Sequence, residues 1–336
     1  MNISRCPCCL KPGVREFCGP CRKKLFGGKR VSPMLPFTRP EYNHRRLEHA
    51  GRISISGVQS KYSLKLRDSA LELAETGGEY ILKPSVPGEF QNMSSMPANE
   101  HVTMRMARRV FGLNTAESAL VFFSDDDTPA YLTKRFDVMP DGTRLPQEDF
   151  AQIARLSEET HGKGYKYDCS YEKIAVLMRE HVAAYAVEVE KFFKLIVFNY
   201  LVHNGDAHLK NFSLCRDPAL NSYILTPAYD LLNTRLHLPN EPACALDLFE
   251  PEFETKSYSV NGFCARDDFV EFGVRIGVAP KRVNRFLNEI AGRESQMGAL
   301  IDISYLDGPL KARYKELINE RIRAIGYSHK EPGSRA

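Results

Sequence analysis

The chain has 336 residues, enough for one large two-lobed domain or two ordinary ones. Its 43% apolar and 26% charged residues fit a globular chain, and 46 basic against 42 acidic side chains (net +4) are too balanced for a dedicated nucleic-acid binder. No run approaches 18 apolar residues and MNISRCPCC lacks an apolar signal core, so a cytoplasmic protein without a membrane span is expected, its cysteines not in disulfides.

Five of nine cysteines fall in the Cys-rich segment 1–26. Cys6 and Cys9 form one C-x2-C pair, and Cys18 and Cys21 another. Together they can present four thiolates to one tetrahedral Zn2+. The eight residues between the pairs are fewer than a usual ribbon carries, so a cysteine-rich, partly ordered tail is the alternative. Cys8 is a spare thiol on either reading. Residues 27–50 carry basic, Gly and Pro residues with little periodicity and read as a connector.

From residue 51 the pattern changes. RISISGVQSKYSLKL alternates at period two on both sides of Gly57 and predicts two strands, and EYILKPS predicts a third, stopped by Pro84. PANEHVTMRMARRVFG predicts a helix, with Pro97 in its first turn and Gly112 at its end. SALVFFS and PAYLTKRFDV predict two more strands, closing a small lobe at residue 138. Residues 139–327 are mostly helical by apolar spacing, through DFAQIARLSEE, YEKIAVLMREHV, VEVEKFFKLIVFNYLVHN and three later segments. The tail 328–336 is expected to be disordered. The predicted architecture is α+β and two-lobed, a small β-rich lobe with one helix followed by a larger helical lobe.

The chemistry concentrates in YLVHNGDAHLKNFSL. Asp206 and Asn211 have the D-x4-N spacing of a protein-kinase catalytic loop, in which the Asp accepts the substrate hydroxyl proton and the Asn binds Mg2+. A second metal carboxylate is expected on a strand, and Asp230 in YILTPAYDLLN ends such a run 24 residues later. Lys83, on the strand EYILKPS, suits a lysine reaching toward ATP phosphates, with Glu100 on the next helix as its ion-pair partner. The segment Thr133 to Asp137 would bring Lys134, Phe136 and Asp137 to adenine and ribose. Each has a plainer alternative: Lys83 a surface lysine, Glu100 a first-turn charge, Asp137 a turn residue, Asp230 a cap. Their order along the chain favours phosphoryl transfer. No G-x-G-x-x-G is present, so the phosphate loop would be ISISGVQSK, with the backbone after Gly57 (Val58, Gln59, Ser60) and the Lys61 side chain doing the covering. Ser54 and Ser56 in that loop invite self-phosphorylation, which would set negative charge beside ATP.

These segments, with QEDFAQ, resemble the HipA family of bacterial toxin serine/threonine kinases over about residues 50–325. The resemblance implies a two-lobed protein-kinase-like fold, Asp206 as the base with His208 and Asn211 in its loop, Mg2+ on Asn211 and Asp230, and ATP phosphates on Lys83. It implies autophosphorylation at Ser54. With Ser56, the S-I-S motif and the chain length look like the shorter HipT branch. That branch implies a separate HipS-like small protein and a HipB-like DNA-binding antitoxin, so that DNA is met only through the antitoxin. Family membership implies an aminoacyl-tRNA synthetase substrate, such as the tryptophanyl or glutamyl enzyme, and growth arrest of the kind seen in persistence. The cysteine pairs depart from the longer HipA pattern. The basic run Arg22, Lys23, Lys24, Lys29 and Arg30 could meet tRNA on a synthetase, or is a solvated surface. A small-molecule kinase of this fold and a catalytically silent binding module are the rival readings.

Overall fold

The computed structural model describes residues 3–48, 61–85 and 90–329. Gly57, Val58, Gln59, Ser60, Ser54 and Ser56, the first strand expected around them, and residues 330–336 lie outside the described residues. Ser328 and His329, at the start of the expected tail, are held: the Ser328 hydroxyl and the His329 amide both donate to Asp267.

The small lobe is an antiparallel sheet of β1 (Tyr62–Arg67), β2 (Ala70–Leu73), β3 (Tyr80–Pro84), β4 (Ser118–Phe122) and β5 (Pro129–Lys134), in the order β2-β1-β3-β5-β4. Side chains alternate across it. Leu64, Leu82, Ala130 and Leu132 turn to one face, where they join a buried cluster. Lys83 and Tyr131, paired across β3 and β5, turn to the other. On that second side lies α3 (Met96–Arg109).

The first face is covered by the N-terminal segment. Helix α1 (Gly19–Phe26) brings in Leu25 and Phe26, and the Tyr80 hydroxyl donates to the Leu25 carbonyl at 2.7 Å. Residues 27–50, expected as a connector, deliver Val31, Leu35, Phe37 and Tyr42 into the same core and form α2 (Arg39–Glu48). These apolar residues are spaced irregularly between prolines, so no period announces them.

The large lobe is built on α7 (Tyr185–Leu201), which is apolar on nearly every side and therefore central. Around it pack α6 (Tyr171–His181), α9 (Arg266–Arg275), α10 (Pro280–Ala291) and α12 (Gly308–Gly326), with α8 (Lys256–Asn261) beside α9 and α11 (Glu294–Asp302) against α12 and α3. The helix expected over DFAQIARLSEE is broken into α4 (Phe150–Ile153) and α5 (Glu158–His161). Arg155 between them takes φ +59°, and Ser157 restarts the chain with its own capping box. A second sheet, β6 (Gln147–Asp149), β7 (Ser213–Asp217) and β8 (Ser222–Leu225), lies at the lobe junction; β8 falls in the run YILT expected as a strand, whereas β6 was not anticipated. Among the described residues, no helix is long and apolar enough to cross a membrane.

Candidate active site

The segment after α7 is positioned at both ends. His203 leaves the helix at φ +52° and donates from Nε2 to the Leu317 carbonyl at 2.8 Å. Gly205 follows, and a Cβ there would lie 2.7 Å from the Glu241 side chain and from the Pro242 carbonyl. The Tyr171 hydroxyl holds the Ala207 carbonyl at 2.9 Å, and Phe212 leads into β7 from a buried position. Leu209–Asn211 form a single 3-10 turn, with the Asn211 Oδ1 accepting from the His208 amide at 3.1 Å.

Asp206 stands between these anchors with 46% of its side chain exposed. Its Oδ1 accepts from the Tyr167 hydroxyl at 2.5 Å and lies 3.8 Å from both Lys166 Nζ and His208 Nε2. Burial pushes the His208 imidazole down to about 4, so the ring is neutral at pH 7, and its Nδ1 has no partner among the described residues. The neutral ring makes no hydrogen bond to Asp206 and packs edge-on against Tyr167, with ring centroids 5.3 Å apart.

Opposite sits a charged cluster. Lys83 Nζ donates to Glu100 Oε1 and to Asp230 Oδ1, both at 2.5 Å, while Lys61 Nζ donates to Asp230 Oδ2 at 2.9 Å. Burial opposes the charge on Lys83, Glu100 and Asp230. Lys61 and Lys83 nevertheless hold the Asp230 carboxyl well below the usual range, and the two acids keep Lys83 firmly protonated. For Glu100 burial prevails over Lys83, and its carboxyl is pushed up to about 7. Asp230 does not end a strand as expected. Strand β8 stops at Leu225, Pro227 offers no amide, and Ala228 instead bonds to the 114–116 segment before Asp230 turns at φ +54°.

A cleft of about 730 Å³ between the lobes is lined by Lys61, Lys83, Glu100, Lys134, Phe136, Asp137, Asp206, His208, Asn211 and Asp230. Phe136 packs on Tyr229 with ring centroids 5.8 Å apart, a flat apolar wall suited to a base. The Asp137 carboxylate is already forked by Arg135, through contacts of 3.0 and 2.6 Å. Lys134 Nζ donates to the Lys24 carbonyl on α1 at 3.4 Å.

Sequence reasoning missed Lys166 and Tyr167, although a basic-aromatic run just after two glycines (GKGYKYD) was visible. It also missed Glu241, which carries no local signal. This carboxyl is pushed up to about 7 by burial, and by Asp206 nearby, against a lowering contact from Thr234.

At the far side of the small lobe, the sulfurs of Cys6, Cys9, Cys18 and Cys21 all lie within 4.8 Å of one another. Cys9 and Cys18 are 3.6 Å apart, close to the ~3.8 Å edge of a tetrahedron with ~2.3 Å zinc–sulfur bonds. The Cys18 amide donates to Cys6 Sγ at 3.4 Å. The four thiols thus form one compact set, not a loose tail.

Residues 53–297 match the model of the HipA-like C-terminal domain. A protein of Haemophilus influenzae whose name proposes a kinase is 30% identical over 299 residues, covering 85% of each chain. The serine/threonine-protein kinase toxin HipA of Shewanella oneidensis is 26% identical over 230 residues, which span 61% of this chain and 48% of the toxin. In solved structures the fold is similar to that of the Shewanella oneidensis HipA, HipB and operator DNA complex (TM-score 0.62, 22% identity, 87% of this chain and 73% of that one). It is also similar to the Helicobacter pylori proinflammatory kinase CtkA (TM-score 0.51, 17% identity, 79% and 90%). The fold is thus α+β, two-lobed and kinase-like, and the chain belongs to the HipA-like family of kinases and toxin-kinase homologues.

Proposed function

We propose that the protein is a serine/threonine-protein kinase of a toxin–antitoxin system, of the HipT branch, that transfers the γ-phosphate of ATP to a protein hydroxyl. The observation that carries this reading is the buried Lys83, bonded at once to Glu100 and Asp230, in the same cleft as Asp206 and Asn211. Asp206 accepts the hydroxyl proton, held in place by Tyr167, against which neutral His208 packs. Lys83, released from Asp230, meets the ATP phosphates while Glu100 keeps it in place. Adenine stacks near Phe136, and Asp137 reaches the ribose on leaving Arg135. Asp230 and Asn211 would hold Mg2+, which when bound neutralises charge on the phosphoryl group. Gly57, Val58, Gln59, Ser60 and Lys61 cover the phosphates, and phosphorylation of Ser54 or Ser56 regulates the loop by repelling ATP.

The substrate is an aminoacyl-tRNA synthetase, its modification arresting growth in the cytoplasm, and the partners are a HipB-like antitoxin and a HipS-like small protein. The structurally similar Shewanella oneidensis HipA, solved in complex with HipB and operator DNA, supports the antitoxin partner. Four N-terminal thiolates take Zn2+ as a structural ion.

The test incubates the purified protein and an Asp206→Gln variant with Mg-ATP and synthetase-containing lysate, then reads intact mass and phosphosites. Phosphate on Ser54 or Ser56 and on a synthetase, with wild type only, is expected. A wild-type protein that gains no phosphate and transfers none rules the kinase reading out.

A further inference from the structure

The four-cysteine cluster lies against the helix that carries Glu100. Every residue of α3 from Met96 to Ala107 is buried, polar ones included, so the helix has no solvent-facing side to absorb movement. Its polar side chains are individually engaged. Asn99 exchanges hydrogen bonds with the backbone of Asn233, at 2.8 and 3.1 Å, and the Thr103 hydroxyl meets Tyr314 at 2.7 Å, which ties α3 to the large lobe. His101, next to Glu100, points elsewhere: its Nε2 donates to the carbonyl of Cys8, inside the first cysteine turn, at 2.9 Å. Two turns on, Arg109 donates to the Cys9 carbonyl at 3.0 Å.

The cysteine turn is in turn fastened to both lobes. The Leu120 amide of β4 donates to Pro7, and the Tyr305 hydroxyl of the large lobe donates to Arg5 at 2.7 Å. Leu10, at φ +64° one residue past Cys9, is fully buried in the large-lobe core. The carbonyls that receive α3 thus belong to a buried turn closed on itself by few bonds, Cys6 to Lys11 and Leu10 to Cys6, beside the four thiols. A metal on those thiols would cross-link this turn to the Cys18–Cys21 turn and stiffen both.

We infer that Zn2+ on Cys6, Cys9, Cys18 and Cys21 is the brace that holds α3, through Cys8, Cys9, His101 and Arg109, so that Glu100 stays against Lys83. The zinc is then a positioning element for phosphoryl transfer, distant from the reacting atoms, and its loss loosens α3 without touching the catalytic loop. This inference rests on the kinase reading for its activity arm only.

The experiment compares the purified protein as isolated with a Cys18→Ser, Cys21→Ser variant. It measures zinc by native mass spectrometry, amide hydrogen exchange, and kcat and KM for ATP. One zinc per wild-type chain is expected, lost in the variant. Amides of residues 96–109 should then exchange at least tenfold faster while those of α7 (Tyr185–Leu201) do not change, and kcat should fall at least tenfold. A second pair guards against a variant that unfolds. His101→Leu should keep its zinc and still show faster α3 exchange and lower kcat, and His101→Gln, which retains a donor, should restore both. A zinc-free wild type overturns the inference, and so does His101→Leu with α3 exchange unaltered. A wild type that binds zinc and shows the exchange effect but transfers no phosphate sinks the kinase reading and leaves the brace standing.

Discussion

The cleft presents two carboxylates in opposite settings. Asp206 sits on a rigid loop with nearly half its side chain open, touched by one tyrosine and flanked at 3.8 Å by Lys166 and His208. Asp230 is mostly enclosed, and each of its oxygens is taken by a lysine. An open carboxylate can exchange a proton with an incoming hydroxyl, whereas one locked between two ammonium groups stays an anion throughout. On the proposed reading, the difference suits the base role to the first position and the cation-ligand role to the second.

The sharpest way to break this contrast is to neutralise each in turn. Asp206→Asn keeps the shape of an unburied side chain, so its melting temperature should stay within a degree or two while transfer drops by about 10²- to 10⁴-fold. Asp230→Asn should lose activity and also stability, because Lys83 and Lys61 are left facing each other. Breaking a buried pair costs about 3–5 kcal/mol, a fall of about 6 °C or more. Paired activity and thermal-melt measurements decide it, and equal stability losses for the two variants would contradict the assignment.

That these residues meet in one cleft was legible because the pattern is local: D-x4-N lies within six consecutive residues, and Lys83 and Glu100 lie on adjacent elements in a fixed order. The neighbours of Asp206 were not legible in the same way. Tyr167 bonds to it, and Glu241 feels its charge, from separate segments that no spacing encodes. The N-terminal layer was the larger omission. Val31, Leu35 and Phe37 fill one face of the sheet from an irregular path, and periodicity can report only regular elements. The cysteine spacing did survive this limit, since a pair of C-x2-C turns is itself a local signal.

A smaller effect probes the lock on Asp230. Lys61 competes for the oxygen that a cation needs, and the pair is partly exposed, so it contributes about 1 kcal/mol or less. Lys61→Met should therefore tighten Mg2+ binding to the nucleotide-free protein by up to about fivefold. Calorimetric titration reads this directly. Unchanged or weaker binding would show that Lys61 does not guard the site.

The mildest test returns to the open carboxylate through its neighbour. Glu241 has its folded pKa raised from 4.5 to about 7, chiefly by burial and also by Asp206. A raised acid favours the folded state fully below about pH 4.5, and that contribution is lost as pH rises through 7. Glu241→Gln stays neutral throughout. It should thus match wild type at pH 4.5 and melt about 2–4 °C higher at pH 8. A pH series of melting curves gives the answer, and a constant gap would mean that Glu241 does not titrate in this range. In an Asp206→Asn background the gap at pH 8 should shrink, because one source of the raised pKa is gone. A gap unchanged by that second substitution would assign the whole effect to burial and separate Glu241 from the catalytic carboxylate.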